Sequence, residues 1–410
     1  MESASAEAAQ APHVPVGVVR LAGAAKEIMN MYRIQTMNKI SPVGLNRFDA
    51  ALYEVGDEVQ DPQGILVRSA KLLDMEFNPS LLAIARAGVG VNNIPLDRCA
   101  AAGIPVFSTP GANANAVKEL VVCAMLMSSR DIPGAIRWVR EQAASGVEVA
   151  TVVEKGKSAF VGPELYKKTL GIIGLGAIGS IVANTAISLG MDVYGYDPFL
   201  SVDTALRLDR HVHVVKDIND LYKRADYVTL HIHYTGKTAH MIDADAIAAM
   251  KRGVRVINLA RGEIVDDEAI LAALDTGKVA VYVTDFPNNR LLTAPHVIAM
   301  PHLGASTPES EQNCAAMAVD ELTDYLENGN IRRSVNLPDM VMDRSGVERL
   351  CILHKNVPGM LANITSLFGR DGVNVENLSN KSRGEYAYTM VDLGTKVAER
   401  VIEDVQHMAN

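Results

Sequence analysis

The segment that most limits the possible folds of this chain is TLGIIGLGAIGSIVANTAISLGMDVYGYDP, residues 169–198. It reads as an apolar strand, a glycine turn, a helix rich in small residues, a second strand and then an acid. The glycines form a G-x-G-x-x-G pattern, which is weak support for any fold when it stands alone. Here it lies between a strand and a helix, and this order predicts the βαβ unit of a parallel sheet.

Each glycine of this pattern has a physical role in binding a dinucleotide. Gly174 allows a tight turn, Gly176 lets the backbone approach a pyrophosphate, and Gly179 lets the helix pack closely on the strand. Asp197 would accept hydrogen bonds from ribose hydroxyls and repel a 2′-phosphate, so NAD is favoured over NADP. The alternative is a glycine turn in a Rossmann-like sheet that binds no cofactor. The predicted cofactor contacts in this segment are Gly174, Gly176, Ala177, Ile178, Gly179 and Asp197.

Apolar strands alternate with helical segments through the rest of the central region. This alternation predicts an α/β fold with a doubly wound parallel sheet. Apolar residues at helical spacing over 117–146 predict one long helix, and residues 309–329 predict another. Strands are predicted at 212–215, 227–233, 254–260, 280–286 and 296–303.

Two side chains that follow strands of this region are suited to redox chemistry on a hydroxy acid. Arg261 comes just after the strand in VRVINLA, and His302 follows VIAMP. An arginine fork binds a carboxylate, and a histidine takes or returns a hydroxyl proton. Each residue alone is more often structural. Ligands of such sheets bind at the carboxyl ends of the strands, so the pair beside a nicotinamide predicts hydride transfer between 2-hydroxy and 2-oxo acids.

Composition excludes several other classes of protein. The net charge of -9 argues against a surface for nucleic acid or an anionic membrane, although a local basic site for a small anion stays open. The four cysteines form no C-x-x-C pair, which favours reduced thiols in the cytoplasm over disulfides or a metal site. No uncharged run reaches the ~18 residues of a membrane span.

Several motifs together resemble the D-isomer-specific 2-hydroxyacid dehydrogenases. They are VRSA, RAGVGVNNIPLDRCAAAGIPVFSTPGANANAVKELV, KTLGIIGLGAIG, YDP, INLARGEIVDDEAI and PHLGASTPESE. The resemblance covers nearly the whole chain from Tyr32, and it implies a Rossmann-type NAD domain inserted in a flavodoxin-like substrate domain. The expected organisation is a disordered extension at 1–30, a substrate domain at 31–114 and 306–336, an NAD domain at 115–305, a linker at 337–346 and a regulatory domain at 347–410.

The resemblance is closest to members that oxidise D-3-phosphoglycerate to 3-phosphohydroxypyruvate with NAD, the first step of L-serine biosynthesis. It implies that Arg261 binds the substrate carboxylate and that His302 is the general acid/base. Arg68 would supply one cationic donor for the substrate phosphate. Lys39 is our own candidate for a second donor, although a lysine at such a position is more often a solvated surface residue. The resemblance further implies substrate contacts at Arg68, Ser69 and Asn113, and cofactor contacts at Ala260 and Asp285.

One departure from the family concerns the partner of His302. Family members have a glutamate just after the D-x-F-P segment that orients the histidine, but no glutamate occurs between Glu268 and Glu309. Asn289 or Arg290 stands at that place, and neither raises the pKa of an imidazole as a carboxylate would. We therefore keep a lysine, Lys237 or Lys278, as a candidate for an additional base.

The C-terminal segment ILHKNVPGMLANITSLFGRDGVNVENLS resembles an ACT-type regulatory domain. Such domains bind amino acids between paired copies, which implies L-serine as an effector held by His354, Asn356 and Asn374. The alternative is a purely structural dimerisation module. The ACT fold is βαββαβ, whereas this sequence ends after the second helix, so the last strand is expected to be absent.

The resulting expectation is a cytoplasmic, homodimeric or homotetrameric phosphoglycerate-oxidising enzyme that uses NAD and no metal. Its expected partners are D-3-phosphoglycerate and L-serine, and neither nucleic acid nor a membrane. One alternative is another D-2-hydroxyacid dehydrogenase, such as a glyoxylate, hydroxypyruvate or lactate enzyme. A second alternative is a non-enzymatic NADH-sensing corepressor with the same fold.

Overall fold

The computed structural model describes residues 31–407 in full and the backbone of residues 17–22. The chain divides into two compact units. The first unit comprises Met1–Ala112 and Glu311–Asn410, and the second comprises Asn113–Ser310. Most of the predicted N-terminal extension lies outside the described residues.

The first part of the first unit contains a five-stranded parallel sheet. Its strand order is β3-β2-β4-β5-β6, which is the flavodoxin-like order predicted from the sequence. Apolar strands such as GILV at β4 are buried on both faces, as expected for a parallel sheet. The elements are β1 (Gly17–Ala22), β2 (Tyr32–Met37), α1 (Pro42–Leu45), β3 (Tyr53–Gly56), β4 (Gly64–Val67), β5 (Ala83–Arg86), α2 (Leu96–Ala101) and β6 (Val106–Phe107).

The second unit is the predicted doubly wound domain. All pairings of its seven strands are parallel, in the order β13-β12-β11-β10-β7-β8-β9. Its strands are β7 (Thr169–Ile173), β8 (Asp192–Tyr196), β9 (Val212–Val215), β10 (Tyr227–Leu230), β11 (Val254–Asn258), β12 (Val279–Thr284) and β13 (Val297–Ala299). Its helices are α3 (Ala114–Ser129), α4 (Ile132–Ala144), α5 (Val149–Gly156), α6 (Ala177–Ser188), α7 (Val202–Arg207), α8 (Ile218–Tyr222), α9 (Ala244–Ala249), α10 (Asp267–Asp275) and α11 (Asn289–Thr293).

The single long helix predicted over 117–146 is two helices, α3 and α4. Arg130 has extended backbone angles and ends α3. The Asp131 carboxylate then accepts a hydrogen bond from the Gly134 amide, and Pro133 lies in the first turn of α4. An Asp N-cap followed by a proline is a helix start signal, and it interrupts an otherwise continuous helical pattern.

The rest of the first unit begins with a helix and ends in an antiparallel sheet. This part contains α12 (Pro308–Asn328), β14 (Glu348–Lys355), α13 (Met360–Arg370), β15 (Val375–Arg383), β16 (Tyr386–Leu393) and α14 (Glu399–Gln406). The sheet has four strands in the order β1-β14-β16-β15. No helix within the described residues is long and apolar enough to cross a membrane.

This sheet corrects two expectations from the sequence. No described strand follows α14, but the position of the last strand of the C-terminal unit is not empty, because β1 lies beside β14. Residues 17–22 are therefore a strand and not part of a disordered extension. The physical reason is that the outer edge of β14 offers unpaired backbone groups, and the segment GVVRLA can satisfy them although it lies more than 300 residues away in sequence.

The C-terminal sheet packs on the five-stranded part of the first unit as well as on its own helices. One face contributes Cys351, Leu353, Tyr388 and Met390 to the core that contains the apolar face of α12. The other face packs on α13 and α14. Arg349 and Asp392 form an ion pair with no exposed side-chain area, and Arg349 also donates hydrogen bonds to three backbone carbonyls, those of Asn328, Met342 and Asp343.

Candidate functional site

The glycine turn after β7 has the shape that a dinucleotide site needs. Gly174 has a φ of 92°, and a Cβ added there would lie 2.4 Å from the carbonyl oxygen of His231. A Cβ at Gly179 would lie 1.9 Å from the Gly174 carbonyl oxygen, so packing requires both glycines. A Cβ at Gly176 would meet no atom within 4 Å. The open space beside Gly176 lies at the N-terminus of α6, where free N–H groups favour an anion.

Asp197 follows β8 and holds the glycine turn in place. Its Oδ2 accepts a hydrogen bond from the Leu175 amide at 2.9 Å, and its Oδ1 accepts one from the Phe199 amide at 2.8 Å. Each carboxylate oxygen keeps a second lone pair, so the side chain can still accept a ribose hydroxyl. The structure thus places Asp197 beside the turn, as the βαβ reading predicted.

The strand order places the other predicted residues at the same edge of the sheet. β7 and β10 are neighbours from which the chain proceeds in opposite directions, so the crevice beyond their carboxyl ends is the switch point. Arg261 follows β11, Asp285 follows β12 and His302 follows β13. All strands are parallel, and these three residues therefore lie on the edge that carries the glycine turn.

Phe286 is a central residue of this edge that the sequence reading missed. Its ring centroid lies 4.6 Å from that of His302, and the Arg261 guanidinium carbon lies 5.5 Å from the Phe286 centroid. The Asn258 amide donates to the Arg261 carbonyl and fixes the start of the loop that carries this arginine. The available signal was the position of Phe286, directly after the strand-end residue Asp285.

Asp285 is a buried carboxyl group without a hydrogen-bond partner among the described residues. It is only 1% exposed, and neither of its oxygens has a well-aligned hydrogen-bond donor, although the backbone amides of Asp285 and Gly304 lie near enough to lower its pKa. Burial raises the pKa of this carboxyl group, and the nearby His302 opposes that increase most strongly. Since buried polar groups in proteins are almost always paired, Asp285 is a place where a polar group of a ligand is expected.

The cleft beside Phe286 does not suit an anionic ligand. It has a volume of about 530 Å³ and is lined by four carboxylates, those of Glu263, Asp266, Asp267 and Glu268. Within the described residues, no cluster of His, Cys, Asp and Glu could hold a metal ion. Three of the four carboxylates of the cleft already have a polar partner: Arg290 contacts Glu268, His240 contacts Asp266 and Asn288 contacts Asp267.

Two of the predicted substrate contacts, Arg68 and Ser69, lie in the first unit, on the loop after β4. Asn38, which has a φ of 74°, accepts a hydrogen bond from the Ser69 amide at 2.9 Å. Arg86 donates to the Arg68 carbonyl at 3.0 Å, and the Arg68 guanidinium contacts Glu311 at 2.6 Å. Asn38 and Arg86 are thus positioning residues that the sequence reading missed.

The other predicted substrate contact lies in the second unit. Asn113 precedes α3, and its buried Oδ1 has no partner among the described residues. Lys39 is exposed just after β2, in the first unit. The convergence of the residues from the two units on one substrate stays a prediction.

The predicted effector residues lie at both ends of the C-terminal sheet. At one end, His354 is buried, and its ring nitrogens contact the Thr389 hydroxyl and the Lys355 carbonyl, each at 2.8 Å. Burial lowers the pKa of His354. Asn356 follows at the same end and is exposed.

The register separates Asn374 from the other two effector residues. β14 ends with Lys355 opposite Tyr386, whereas β15 begins with Val375 opposite Leu393, at the other end of β16. Asn374 precedes Val375 and donates to Glu376. A single chain therefore does not bring the three residues around one amino acid, and a shared site would need two chains.

Comparisons with known proteins identify the family. Residues 122–304 match the D-isomer specific 2-hydroxyacid dehydrogenase, NAD binding domain. The chain is 32% identical to D-3-phosphoglycerate dehydrogenase of Haemophilus influenzae, over 87% of this chain and 86% of that protein. The chain belongs to the D-isomer-specific 2-hydroxyacid dehydrogenase family.

Two further relatives show the range of similarity. The chain is 35% identical to D-3-phosphoglycerate dehydrogenase of Methanocaldococcus jannaschii, over 72% of this chain and 55% of that protein. Several of the curated relatives are thus longer, and the chain spans between half and two thirds of their length. The crystal structure of the NAD+-bound 3-phosphoglycerate dehydrogenase of Entamoeba histolytica is 25% identical, with a TM-score of 0.58 over 75% of this chain and 99% of that one.

The residues present fit the NAD that this dehydrogenase family binds. The space beside Gly176 can take a pyrophosphate, and Asp197 retains lone pairs for ribose hydroxyls. The unpaired carboxyl group of Asp285 can accept a hydrogen bond from a nicotinamide carboxamide. The sequence-based prediction of NAD is therefore confirmed by the family and agrees with the geometry of the second unit.

The structure reduces the number of candidates for the residue that replaces the glutamate partner of His302. Among residues 31–407, the His302 ring has no hydrogen-bond partner, and Arg290 is paired with Glu268. Lys278 is excluded as an additional base because its Nζ donates to the carbonyls of Ala248 and Met250, at the amino end of β12. Lys237 lies in the loop after β10, on the correct edge, and stays a candidate.

Proposed function

We propose that this dehydrogenase oxidises the 2-hydroxyl group of D-3-phosphoglycerate to give 3-phosphohydroxypyruvate, with NAD as the acceptor. The observation that carries the proposal is the arrangement of Arg261 and His302 around Phe286, at the edge that holds the glycine turn. An arginine and a histidine that both contact one ring at this edge can bind the carboxylate and the hydroxyl of the same 2-hydroxy acid. The names of the curated relatives support phosphoglycerate as the substrate.

The proposed reaction uses each residue for one task. The Arg261 guanidinium binds the substrate carboxylate through two parallel hydrogen bonds and fixes the orientation of C2. A ring nitrogen of His302 accepts the hydroxyl proton as the C2–O bond becomes a carbonyl. NAD, when bound, accepts the hydride that leaves C2. Phe286 contacts both side chains and supports one side of the His302 ring.

The proposed phosphate site uses the loop after β4. Arg68 supplies a cationic donor and Ser69 a hydroxyl, while Asn38 fixes the backbone that carries both. Asn113 and the exposed Lys39 complete the proposed set. The acidic cleft beside Phe286 is unsuited to a phosphate because like charges repel.

We further propose that the enzyme is a cytoplasmic homodimer or homotetramer whose effector is L-serine. The four free cysteines suit a reducing compartment. The separation of Asn374 from His354 and Asn356 supports an effector site that two chains share. Asn amides and carbonyls can pair with both charged ends of an amino acid.

The test is NADH formation from NAD and D-3-phosphoglycerate, with L-serine titrated into the assay. Arg261→Lys and His302→Gln should each lower kcat/KM by roughly 100-fold or more, because each removes a group that acts on the reacting atoms. Arg252→Lys and His211→Gln are matched controls, since both residues lie on the surface of the same unit with local contacts. Full activity of the His302 variant would contradict the proposed proton transfer.

A panel of substrates separates the alternatives. Turnover of D-lactate or glyoxylate/hydroxypyruvate pairs in preference to phosphoglycerate would indicate another dehydrogenase of the family. NADH binding without turnover of any hydroxy acid would favour the corepressor. Turnover at a rate that serine does not change would support the proposed reaction and contradict the proposed serine effector.

A further inference from the structure

The outer edge of β14 is a strand-acceptor site in this protein. The first seven residues of β14, from Glu348 to His354, are buried and the last is half-buried, which is unusual for a strand at the edge of a sheet. β15, the true edge on the other side, has mostly exposed or half-exposed residues and ends in Arg383. Both faces of β14 also carry core residues, Cys351 and Leu353 on one face and Leu350 and Ile352 on the other, which is typical of an interior strand.

The chain's own N-terminal segment fills this site. β1 pairs antiparallel with β14 over six residues, from Gly17 opposite Leu353 to Ala22 opposite Glu348. α14 also lies against β1, so the strand is held on an edge and on a face. Without β1, the outward N–H and C=O groups of β14 would have no partner.

The position of β1 connects the effector strand to the substrate-binding sheet. Gly17 lies opposite the residue that precedes His354, and the chain from Ala22 continues into β2 after residues 23–31. β2 is followed at once by Asn38, whose side chain holds the Ser69 and Ala70 amides. A short path therefore runs from the predicted effector residue to the loop that carries Arg68 and Ser69: hydrogen bonds join β14 to β1, the chain joins β1 to Asn38, and hydrogen bonds join Asn38 to the loop.

We propose that Gly17–Ala22 is an obligatory strand of the C-terminal unit, and that the response to an amino-acid effector requires it. The first half of this proposal depends only on the sheet. The second half rests on the proposed serine effector. Loss of β1 opens the edge of β14, frees the strand that holds His354 and breaks the connection to β2.

The test compares two proline pairs in the full-length chain. Val18→Pro with Val19→Pro removes two adjacent N–H groups, and successive N–H groups of a strand point to opposite sides, so one of them faces β14. Ala8→Pro with Ala9→Pro is the matched control upstream of the strand. Hydrogen exchange of the peptide Glu348–Lys355 is followed by mass spectrometry, together with NADH formation at increasing serine.

The expected result is exchange of the outward β14 amides that is faster by roughly tenfold or more in the strand variant and unchanged in the control. A chain that starts at Met31 should show the same loss of protection, and a synthetic peptide of residues 14–24 should restore it. Unchanged exchange in the strand variant would overturn the proposal.

The serine response separates the two halves. If serine inhibits the wild-type chain, it should inhibit the strand variant much less, so that the ratio of the rates without and with serine falls close to one. Inhibition that survives although the β14 amides exchange quickly would overturn the proposed coupling. If the wild-type chain does not respond to serine, the proposed effector is wrong, and the exchange experiment still decides the role of the strand.

Discussion

Replacement of Arg349 by methionine should destabilise the first unit by about 3–5 kcal/mol. Its side chain has no exposed area and makes two hydrogen bonds to the equally buried Asp392 carboxylate. Arg349→Met would remove both of its bonds to this carboxylate, which keeps the Ser345 amide and hydroxyl as donors, and it would also remove the Arg349 donors of three backbone carbonyls. Because a domain is typically stable by about 5–15 kcal/mol, the loss would be a large part of the total.

The exposed pair between Arg47 and Asp320 is a matched control in the same unit. It has the same two-bond geometry, at 2.6 and 2.8 Å, but both side chains are about half exposed. Arg47→Met should therefore cost no more than about 1 kcal/mol. The double change Arg349→Met with Asp392→Leu should recover most of the loss, since no unpaired charge stays buried.

The assay must distinguish the two units. Urea unfolding of the first unit can be followed by hydrogen exchange of β14 and β16, which carry the pair. The only tryptophan of the sequence, Trp138, lies in the second unit, so its fluorescence reports whether that unit is unaffected. A loss below about 1 kcal/mol for Arg349→Met, or a double variant less stable than the single one, would refute the reasoning.

Three other predictions concern the two sites and a buried acid. Gly179→Ala should weaken NADH binding, measured by fluorescence titration, because its Cβ would lie 1.9 Å from a carbonyl oxygen and disturb the glycine turn. Gly176→Ala should fold normally, because its Cβ would enter open space, and should affect NADH binding alone. Asp285→Leu should raise the Kd for NADH roughly tenfold through loss of an acceptor, and Asp285→Asn should raise it less; equal affinities would contradict this role. Burial raises the pKa of Glu321 to about 8, above its ordinary value of 4.5, so the folded state holds this proton more tightly than the unfolded state. Glu321 should therefore contribute its full stabilisation of the first unit below about pH 4.5 and lose it as the pH rises through 8. The urea midpoint of Glu321→Gln should not show this loss between pH 4.5 and 8.

The glycine turn and the strand-end residues could be predicted because their signals are local. A strand, a glycine pattern and an acid are contiguous in sequence, and the parallel topology then places Arg261 and His302 at one edge. The roles of Asn38 and Arg86 could not be predicted, because each depends on which backbone group its side chain happens to reach.

The strand β1 is the clearest example of information that local patterns do not contain. GVVRLA is a plausible strand in an alanine-rich segment, but its partner lies beyond residue 347 and depends on the complete sheet. The break between α3 and α4 is a different case, because the Asp131 and Pro133 signals were present in the sequence. The apolar periodicity on both sides of them concealed the break.

The pairing of β1 with β14 also dictates an order of events during synthesis. A ribosome adds about 5–20 residues per second, so β1 must wait for roughly half a minute before its partner strand emerges. The second unit is contiguous in sequence and can complete its sheet in the meantime. For that interval the nascent chain carries an unpaired, apolar N-terminal strand, and this is the stage at which a chaperone or a second nascent chain would meet it.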